Sequence, residues 1–171
     1  MKRILIAGIG NVFHGDDGFG CEIARQLEKC ALPPGVTVVD FGTRTHDLAH
    51  ALHDPYDIVI LVDAAPCGKD PGTLYLIEPD THQLEECECA DADALSMNPI
   101  AAIQMAQALG GVHAKIYVVG CEPAVLANDM DEIGLSLKVQ EVLPQALAMI
   151  ESLLVNLVME DDEDPASFIP V

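Results

Sequence analysis

The sequence predicts an α/β fold, a three-layer sandwich around a mostly parallel, roughly five-stranded twisted sheet. Short apolar, β-rich runs alternate along the chain with segments whose apolar residues recur at helical spacing. Several of these runs lack the polar alternation of a half-exposed strand, which suits strands buried on both faces. Acidic residues also follow the early runs directly, where strands of such sheets lead into functional loops.

Three strands and two helices are predicted in the first half of the chain. We expect Thr45 to be the N-cap of the second helix. The strands are residues 3–9 (RILIAGI), 35–42 (GVTVVDFG) and 56–65 (YDIVILVDAA), and the helices are residues 18–30 and 45–52.

Two more strands and two helices are predicted in the second half. In the first of these helices Asn98 is the expected cap, Pro99 the first helical residue, and Gly110 lies beyond the end. Pro144 is expected to bend the last helix. The strands are residues 72–79 and 114–123, and the helices are residues 98–111 and 136–158. Residues 80–95 are predicted to form a loop between the first of these strands and the first of these helices. We therefore expect one domain over residues 1–158 and an acidic tail over residues 159–171.

Composition limits the classes of partner. The chain has 171 residues, 28 acidic against 8 Lys and Arg residues, and a formal net charge of −20. Such a surface repels phosphate backbones and anionic lipids, so neither nucleic acid nor a membrane is an expected partner. No leader or segment long enough to cross a bilayer is expected. Together with cysteines read as reduced thiols, this predicts a cytoplasmic protein, and we expect a monomer.

Acidic residues converge on one edge of the predicted sheet. Asn11, Asp16 and Asp17 follow the first strand, Asp40 ends the second, and Asp63 ends the third. One acid near a helix start complements the helix dipole, which leaves the other free to face the crevice. Two carboxylates from separate strand ends can share a proton or hold a cation. Asp40 has the equally good alternative of satisfying backbone donors in its own loop.

Other kinds of site receive less support from the sequence. The stretch GIGNVF has Phe13 where a dinucleotide-binding loop needs its third glycine, and nearby carboxylates would repel a pyrophosphate, so no nucleotide cofactor is expected. Cys87 and Cys89 are separated by one residue, and without a second pair of cysteines they are only a weak sign of a metal site with thiolate ligands. The other four cysteines are expected to be small core residues. Neither a Gly-x-Ser-x-Gly nor a His-Glu-x-x-His motif occurs in the sequence.

The stretch GIGNVFHGDDGFG resembles the opening motif of the hydrogenase maturation proteases. The resemblance continues in DFGTRTHDLAHAL, DIVILVDAAPCGKDPGTLYLIEP, LSMNP, VVGCEP and IGLSLKVQEVLPQAL, and covers nearly all of the chain except the tail. It implies an α/β endopeptidase that removes a C-terminal extension from the large-subunit precursor of a nickel–iron hydrogenase after nickel insertion. In this family nickel held by the substrate is thought to guide recognition, so nickel would be carried by the precursor.

The resemblance also implies the site residues. Asp17 and Asp63 match two residues of the family that contact nickel, and a histidine typically precedes the SMNP-like stretch, where this chain has Leu95. Leucine cannot coordinate a metal. Either the enzyme is weakened or inactive, or Asp93, Asp91 or His46 takes the place of the histidine, or the precursor brings enough ligands of its own.

Hydrolysis would then use water activated by a carboxylate or by the metal, in an aspartyl-type mechanism. Asp17 would act as metal contact or general base and Asp63 as its partner, while Asp16 would orient the loop or share the proton. Substrate contacts are expected from Asn11 and from residues 42–44, which are Gly42, Thr43 and Arg44. The alternative function is a nickel-dependent checkpoint that binds the precursor without cutting it.

Overall fold

A five-stranded sheet with helices on both faces forms the fold, in the strand order β2-β1-β3-β5-β4. The computed structural model describes residues 1–80, 99–125 and 133–159. The strands are β1 (Ile4–Ile9), β2 (Val36–Gly42), β3 (Ile58–Ala64), β4 (Leu74–Ile77) and β5 (Lys115–Cys121). The helices are α1 (Phe19–Leu27), α2 (Thr45–Ala51), α3 (Pro99–Leu109) and α4 (Leu137–Met159), and a one-turn 3₁₀ helix (Gly15–Gly18) precedes α1.

The pairing of the strands brings their carboxyl ends to one edge. β1 pairs in parallel with β2 and β3, β3 pairs in parallel with β5, and β4 pairs antiparallel with β5. Asp63, near the end of β3, lies opposite Gly120 of β5. The predicted α/β sandwich with a mostly parallel sheet is therefore confirmed, and β4 is its antiparallel edge strand.

Alternate residues of the central strands enter two separate cores. Ile4 and Ile6 of β1 pack in the core that contains α1 and α4, whereas Leu5 and Ala7 pack in the core that contains α2 and α3. All six residues of β1 are buried. This two-sided burial explains why the strand reads as a continuous apolar run.

The helix starts agree with the sequence prediction at α3 but not at α2. α2 begins at Thr45 itself, so its N-cap is Arg44, which makes no side-chain capping hydrogen bond. The prediction of Thr45 as N-cap is wrong, because the helical backbone starts one residue earlier than expected. α3 does begin at Pro99, where a residue without an N–H costs no helical hydrogen bond, while Asn98 lies outside the described residues.

Helix α4 corrects the expectation that no segment is long enough to cross a membrane. By length and composition alone its 23 residues would suffice, since an 18-residue window within it has a mean hydropathy of 1.7. Its inner face nevertheless belongs to the core against the sheet: Val139, Ala146 and Ile150 have no exposed surface. Met159, the first residue of the predicted tail, is the last residue of α4, and residues 160–171 lie outside the described residues.

The cysteines divide into two groups. Cys21 and Cys121 are buried, as expected of small core residues, but Cys30 and Cys67 are exposed. The prediction that all four lie in the core is wrong for these two, because Cys30 follows the end of α1 and Cys67 lies in the loop after β3. The pair at positions 87 and 89 lies outside the described residues.

Candidate functional site

Asp17 is held in a tight loop between β1 and α1. The backbone N–H of Asn11 donates to Asp17 Oδ2 at 2.9 Å, and the backbone N–H of Phe13 donates to Asn11 Oδ1 at 3.0 Å. The Asp17 carboxylate is half-buried in the 3₁₀ turn. The loop therefore fixes the acid while leaving it partly accessible from the edge of the sheet.

Asp63 reaches the same edge from the end of β3. Its side chain is 6% exposed, and the backbone N–H of Ala64 donates to Oδ1 at 2.8 Å. Gly10 lies between the two acids, with φ of +132°. A Cβ on Gly10 would lie 1.8 Å from the carbonyl oxygen of Asp17 and 3.7 Å from Asp63 Oδ1. Glycine is needed here because a side chain would displace the turn that carries Asp17.

Burial and mutual repulsion make these two acids an electrostatic pair. Burial raises the pKa of Asp17, although the Asn11 hydrogen bond and the nearby His14 oppose the shift. Burial raises the pKa of Asp63 well above its ordinary value, and the charge of Asp17 raises it further. Such a pair can retain a proton at a pH where exposed carboxylates have lost theirs, or can accept a cation instead. The arrangement suits proton transfer or metal contact.

Asp16 has a different environment from its neighbour. It has no exposed surface, and it accepts hydrogen bonds from Ala124 N (2.8 Å), Val125 N (3.0 Å), Ser136 N (2.7 Å) and Ser136 Oγ (2.9 Å). Neither the 3₁₀ turn nor α1 has a side-chain capping hydrogen bond. Asp16 and Asp17 therefore do not cap α1, although an acid near its start was expected to complement the helix dipole. These contacts favour the loop-orienting role of Asp16 over proton sharing, and a catalytic role for it stays a prediction.

Glu122, which directly follows β5, is not among the site residues predicted from the sequence. Glu122 is 5% exposed and accepts hydrogen bonds from Tyr75 Oη (2.6 Å), Cys67 N (2.8 Å) and Gly68 N (3.1 Å). The Tyr75 hydroxyl, followed by these backbone donors, lowers the pKa of Glu122. An acid directly after a strand is the same signal that identified Asp63, so position alone could have indicated Glu122.

The end of β2 and the residues that follow it make polar contacts with one another and with Arg25 of α1. Gly42 N donates to Asp40 Oδ1 at 3.0 Å, and Asp40 Oδ2 lies 3.4 Å from Arg25 Nε. Asp40 thus satisfies a backbone donor, as its alternative interpretation predicted. Arg44 donates to the carbonyl oxygens of Phe41 and Asp40. Of the predicted substrate-binding residues, Gly42 and Arg44 are therefore engaged within the loop.

Two other predicted contributors remain accessible. Thr43 is exposed, and Asn11 is partly exposed. Asn11 uses its backbone N–H and its Oδ1 atom inside the turn, as described above, so its side-chain amide nitrogen is the group that could face a substrate. Substrate binding by these residues stays a prediction.

Comparison with known proteins identifies the family of the chain. The sequence model of a family described as hydrogenase maturation protease matches residues 21–153. The chain belongs to the hydrogenase maturation protease family. The match covers more than half of the chain and includes Asp63 and Glu122.

Relatives and solved structures of hydrogenase maturation proteins agree with this assignment. A Methanocaldococcus jannaschii protein assigned to the hydrogenase maturation proteases is 33% identical over 153 residues, which are 87% of this chain and 94% of that protein. The hydrogenase expression/formation protein HupD of Rhizobium leguminosarum is 29% identical over 151 residues, 85% of this chain and 70% of its own.

Two solved structures share the fold of this family member. The hydrogenase maturating endopeptidase HybD of E. coli superposes with a TM-score of 0.71 at 24% identity, covering 90% of this chain and 93% of its own. The hydrogenase 2 maturation peptidase of Thaumarchaeota archaeon SCGC_AB-539-E09 superposes with a TM-score of 0.65 at 26% identity, covering 90% and 98%. The predicted family and fold are both confirmed.

The described part of this hydrogenase maturation protease contains no complete metal site. Within residues 1–80, 99–125 and 133–159, no group of three His, Cys, Asp or Glu residues could hold a metal ion. His46 is exposed on α2 and does not complete such a group with Asp17 and Asp63. Asp93 and Leu95 lie outside the described residues, so the identity of a third ligand stays a prediction.

A groove borders the turn that carries Asp17. Its volume is about 530 Å³, and it separates residues 12–18 from the start of α4. Phe13 is 68% exposed and Ile133 is 78% exposed on its two sides. The groove is therefore partly apolar, and among the described residues its lining includes neither Asp17 nor Asp63.

Proposed function

We propose that the chain is an endopeptidase that removes the C-terminal extension of a nickel–iron hydrogenase large-subunit precursor after nickel insertion. The observation that carries the proposal is the coupled pair Asp17 and Asp63 at the carboxyl edge of the sheet, in a member of the hydrogenase maturation protease family. Carboxylates with raised pKa values in a crevice are typical of catalytic sites.

The two acids differ in a way that suits different roles. Asp17 is the more accessible, so it can take a proton from a water molecule that attacks the scissile carbonyl carbon. Asp63 is nearly enclosed, and its raised pKa favours the protonated form beside a charged Asp17. The proton taken from water then passes to the leaving amine as the peptide bond breaks.

Nickel enters this proposal as cargo of the precursor. Asp17 and Asp63 offer carboxylate oxygens, whereas imidazole and thiolate are better nickel ligands. Two carboxylates alone would hold nickel weakly, so the precursor would supply the remaining ligands. Recognition would then depend on a metal that is already inserted, which makes nickel the signal that the precursor is ready for cleavage.

The cellular setting proposed for this activity follows from charge and chemistry. We propose a monomer that acts in the cytoplasm, binds its precursor transiently and uses no nucleotide cofactor. The net charge of −20 supports the absence of a nucleotide cofactor, because it disfavours contact with nucleotides, as it does with nucleic acid and anionic lipid.

The direct test is incubation of the purified chain with nickel-loaded precursor, followed by mass spectrometry of the large subunit. Loss of a C-terminal peptide is expected from the wild-type chain and not from the Asp17→Asn or Asp63→Asn variants. Wild-type rates in both variants would show that the site assignment is wrong. A precursor without nickel serves as the control for metal-dependent recognition and should remain uncut.

The second candidate function is a checkpoint that binds the nickel-loaded precursor without cutting it. It is favoured by the presence of only two carboxylate ligands at the site within the described residues. Copurification of the precursor at unchanged mass would support the checkpoint, whereas loss of a peptide would support the protease.

A further inference from the structure

The segment that leaves β5 contacts the turn that carries Asp17 and the loop that follows Asp63. This exit segment, residues 122–125, follows Cys121 directly. Two buried carboxylates make these contacts. Asp16 lies in the 3₁₀ turn and binds the exit segment, whereas Glu122 belongs to the exit segment and binds the loop after β3. Neither belongs to the Asp17 and Asp63 pair, so their positions need a separate explanation.

The first link joins the exit segment to the turn of Asp17. Asp16 Oδ2 accepts from the backbone N–H groups of Ala124 and Val125, and the backbone N–H of Asp16 donates to the Val125 carbonyl at 3.1 Å. The same carboxylate binds Ser136 through its backbone N–H and hydroxyl. Since Asp17 is the next residue in the same 3₁₀ turn, these contacts fix its backbone against β5 and α4.

The second link joins the exit segment to the loop after Asp63. Glu122 accepts from the backbone N–H groups of Cys67 and Gly68, and Ala65 N donates to the Cys121 carbonyl at 2.8 Å. Tyr75 of β4 donates its hydroxyl to the same carboxylate. The chain that continues from Asp63 is therefore held against the same segment.

We propose that the exit segment of β5 sets the separation of Asp17 and Asp63, with Asp16 and Glu122 as positioning residues. The proposal rests on the function proposed above, because the separation matters only if the two acids act together. Reacting groups must be held within a fraction of an ångström, so a small displacement of either loop reduces the rate without unfolding the protein.

The amide variants Asp16→Asn and Glu122→Gln test this proposal at nearly constant side-chain size. Each replaces one acceptor oxygen with an NH₂ donor, which would face the backbone N–H of Ser136 or Gly68. In the full-length chain, at a temperature where circular dichroism shows native structure, each variant should lower kcat for nickel-loaded precursor by about tenfold to a hundredfold. KM should stay within about twofold, because groups that bind the rest of the substrate are unchanged.

Asp57→Asn is the matched control. Asp57 Oδ2 also accepts a backbone N–H, from Arg3 at 2.7 Å, but it lies at the opposite edge of the sheet beside the start of β3. Its variant should keep wild-type kcat. Cadmium affinity, measured by calorimetry with the metal alone, gives a readout besides activity and should fall in both positioning variants but not in the control.

Milder variants cover the case in which the amide variants do not fold. Ser136→Ala removes one hydroxyl donor to Asp16, and Tyr75→Phe removes one hydroxyl donor to Glu122. Each should lower kcat by roughly twofold to tenfold, since the backbone donors remain.

The outcomes separate this inference from the proposed function. Folded variants with wild-type kcat and cadmium affinity would overturn the inference and leave the protease intact. If the wild-type chain binds cadmium but does not cut the precursor, the proposed function fails, and cadmium affinity alone decides the inference. A wild-type chain that neither binds cadmium nor cuts the precursor would overturn both the inference and the proposed function.

Discussion

At the scale of single residues, two adjacent acids of the same type do different things because their surroundings differ. Among the described residues, the fully buried Asp16 accepts four hydrogen bonds, whereas the half-buried Asp17 accepts one, from Asn11. Donors stabilise a carboxylate, and burial without enough donors destabilises it. Asp16 is therefore suited to holding structure, and Asp17 and Asp63 to exchanging a proton or a cation.

The raised pKa of Asp63 predicts that this carboxyl group lowers the stability of the folded protein at neutral pH. Burial and the charge of Asp17 both make ionisation of Asp63 costly in the folded state, and Asn has no carboxyl group to ionise. At pH 7 the Asp63→Asn variant should therefore melt at a higher temperature than the wild type, by about 2–4 °C for each kcal/mol gained in a chain of this length. Thermal unfolding followed by circular dichroism measures the difference.

The difference in melting temperature between the Asp63→Asn variant and the wild type should depend on pH if ionisation of Asp63 is its cause. A folded-state pKa above the ordinary value of 3.8 means that the wild type loses stability as pH rises from that value through the folded-state pKa. Below about pH 3 Asp63 is protonated in both folded and unfolded states, so the two proteins should melt alike. A variant that is less stable than the wild type at pH 7 would contradict this account.

At the scale of elements, parallel strands explain why the acids meet. β1 and β3 are neighbours that run in the same direction, so the loops after them leave from the same edge. Gly10 then lets the turn of Asp17 approach Asp63 closely. The apolar helix α4 is the element whose composition alone is ambiguous, since it is long enough to span a membrane but places one face on the sheet.

A pair of truncations tests the packing of α4. Ile150 has no exposed surface, whereas Val155 is 53% exposed on the same helix. Ile150→Ala should lower the free energy of unfolding by about 2–5 kcal/mol because it leaves a cavity against the sheet. Val155→Ala should change it by less than about 0.5 kcal/mol.

Urea unfolding measures both changes of the α4 pair. Equal, small effects of the two substitutions would show that α4 does not pack on the sheet. The bend expected at Pro144 is a separate matter and stays a prediction, although the residue does lie inside the helix.

At the scale of the whole molecule, acidic residues outnumber basic ones by 28 to 8, and the net charge is −20. The excess charge repels itself in the compact state, which lowers stability. Raising the NaCl concentration from about 0.01 M to about 0.15 M shortens the screening length from about 30 Å to about 8 Å. The melting temperature should therefore rise with salt.

Calorimetry at constant pH measures this salt effect. An equal rise with KCl identifies screening as the cause, since screening depends on ionic strength and not on the ion. A melting temperature that falls with salt would mean that attractive ion pairs outweigh the repulsion, contrary to this prediction.

Much of the fold follows from the sequence because burial on one or both faces leaves a periodic pattern. All five predicted strands and all four predicted helices occur, with ends that shift by a few residues, and Pro99 begins its helix as expected. The placement of Asp17 and Asp63 at one edge could also be predicted, because it depends only on strand direction. The exposure of Cys30 and Cys67 could not, since it depends on packing around the loops.

The sequence by itself determined the alternation of strands and helices, the acidic surface and the acids that follow the strands, because each is a local property of neighbouring residues. Only the folded chain shows that Asp16 is held by hydrogen bonds while Asp17 stays partly accessible. Asp16 meets donors at residues 124–125 and 136, and Glu122 meets donors at residues 67–68 and 75. These contacts join residues far apart along the chain, so no local pattern contains them, and only the folded chain brings donor and acceptor together.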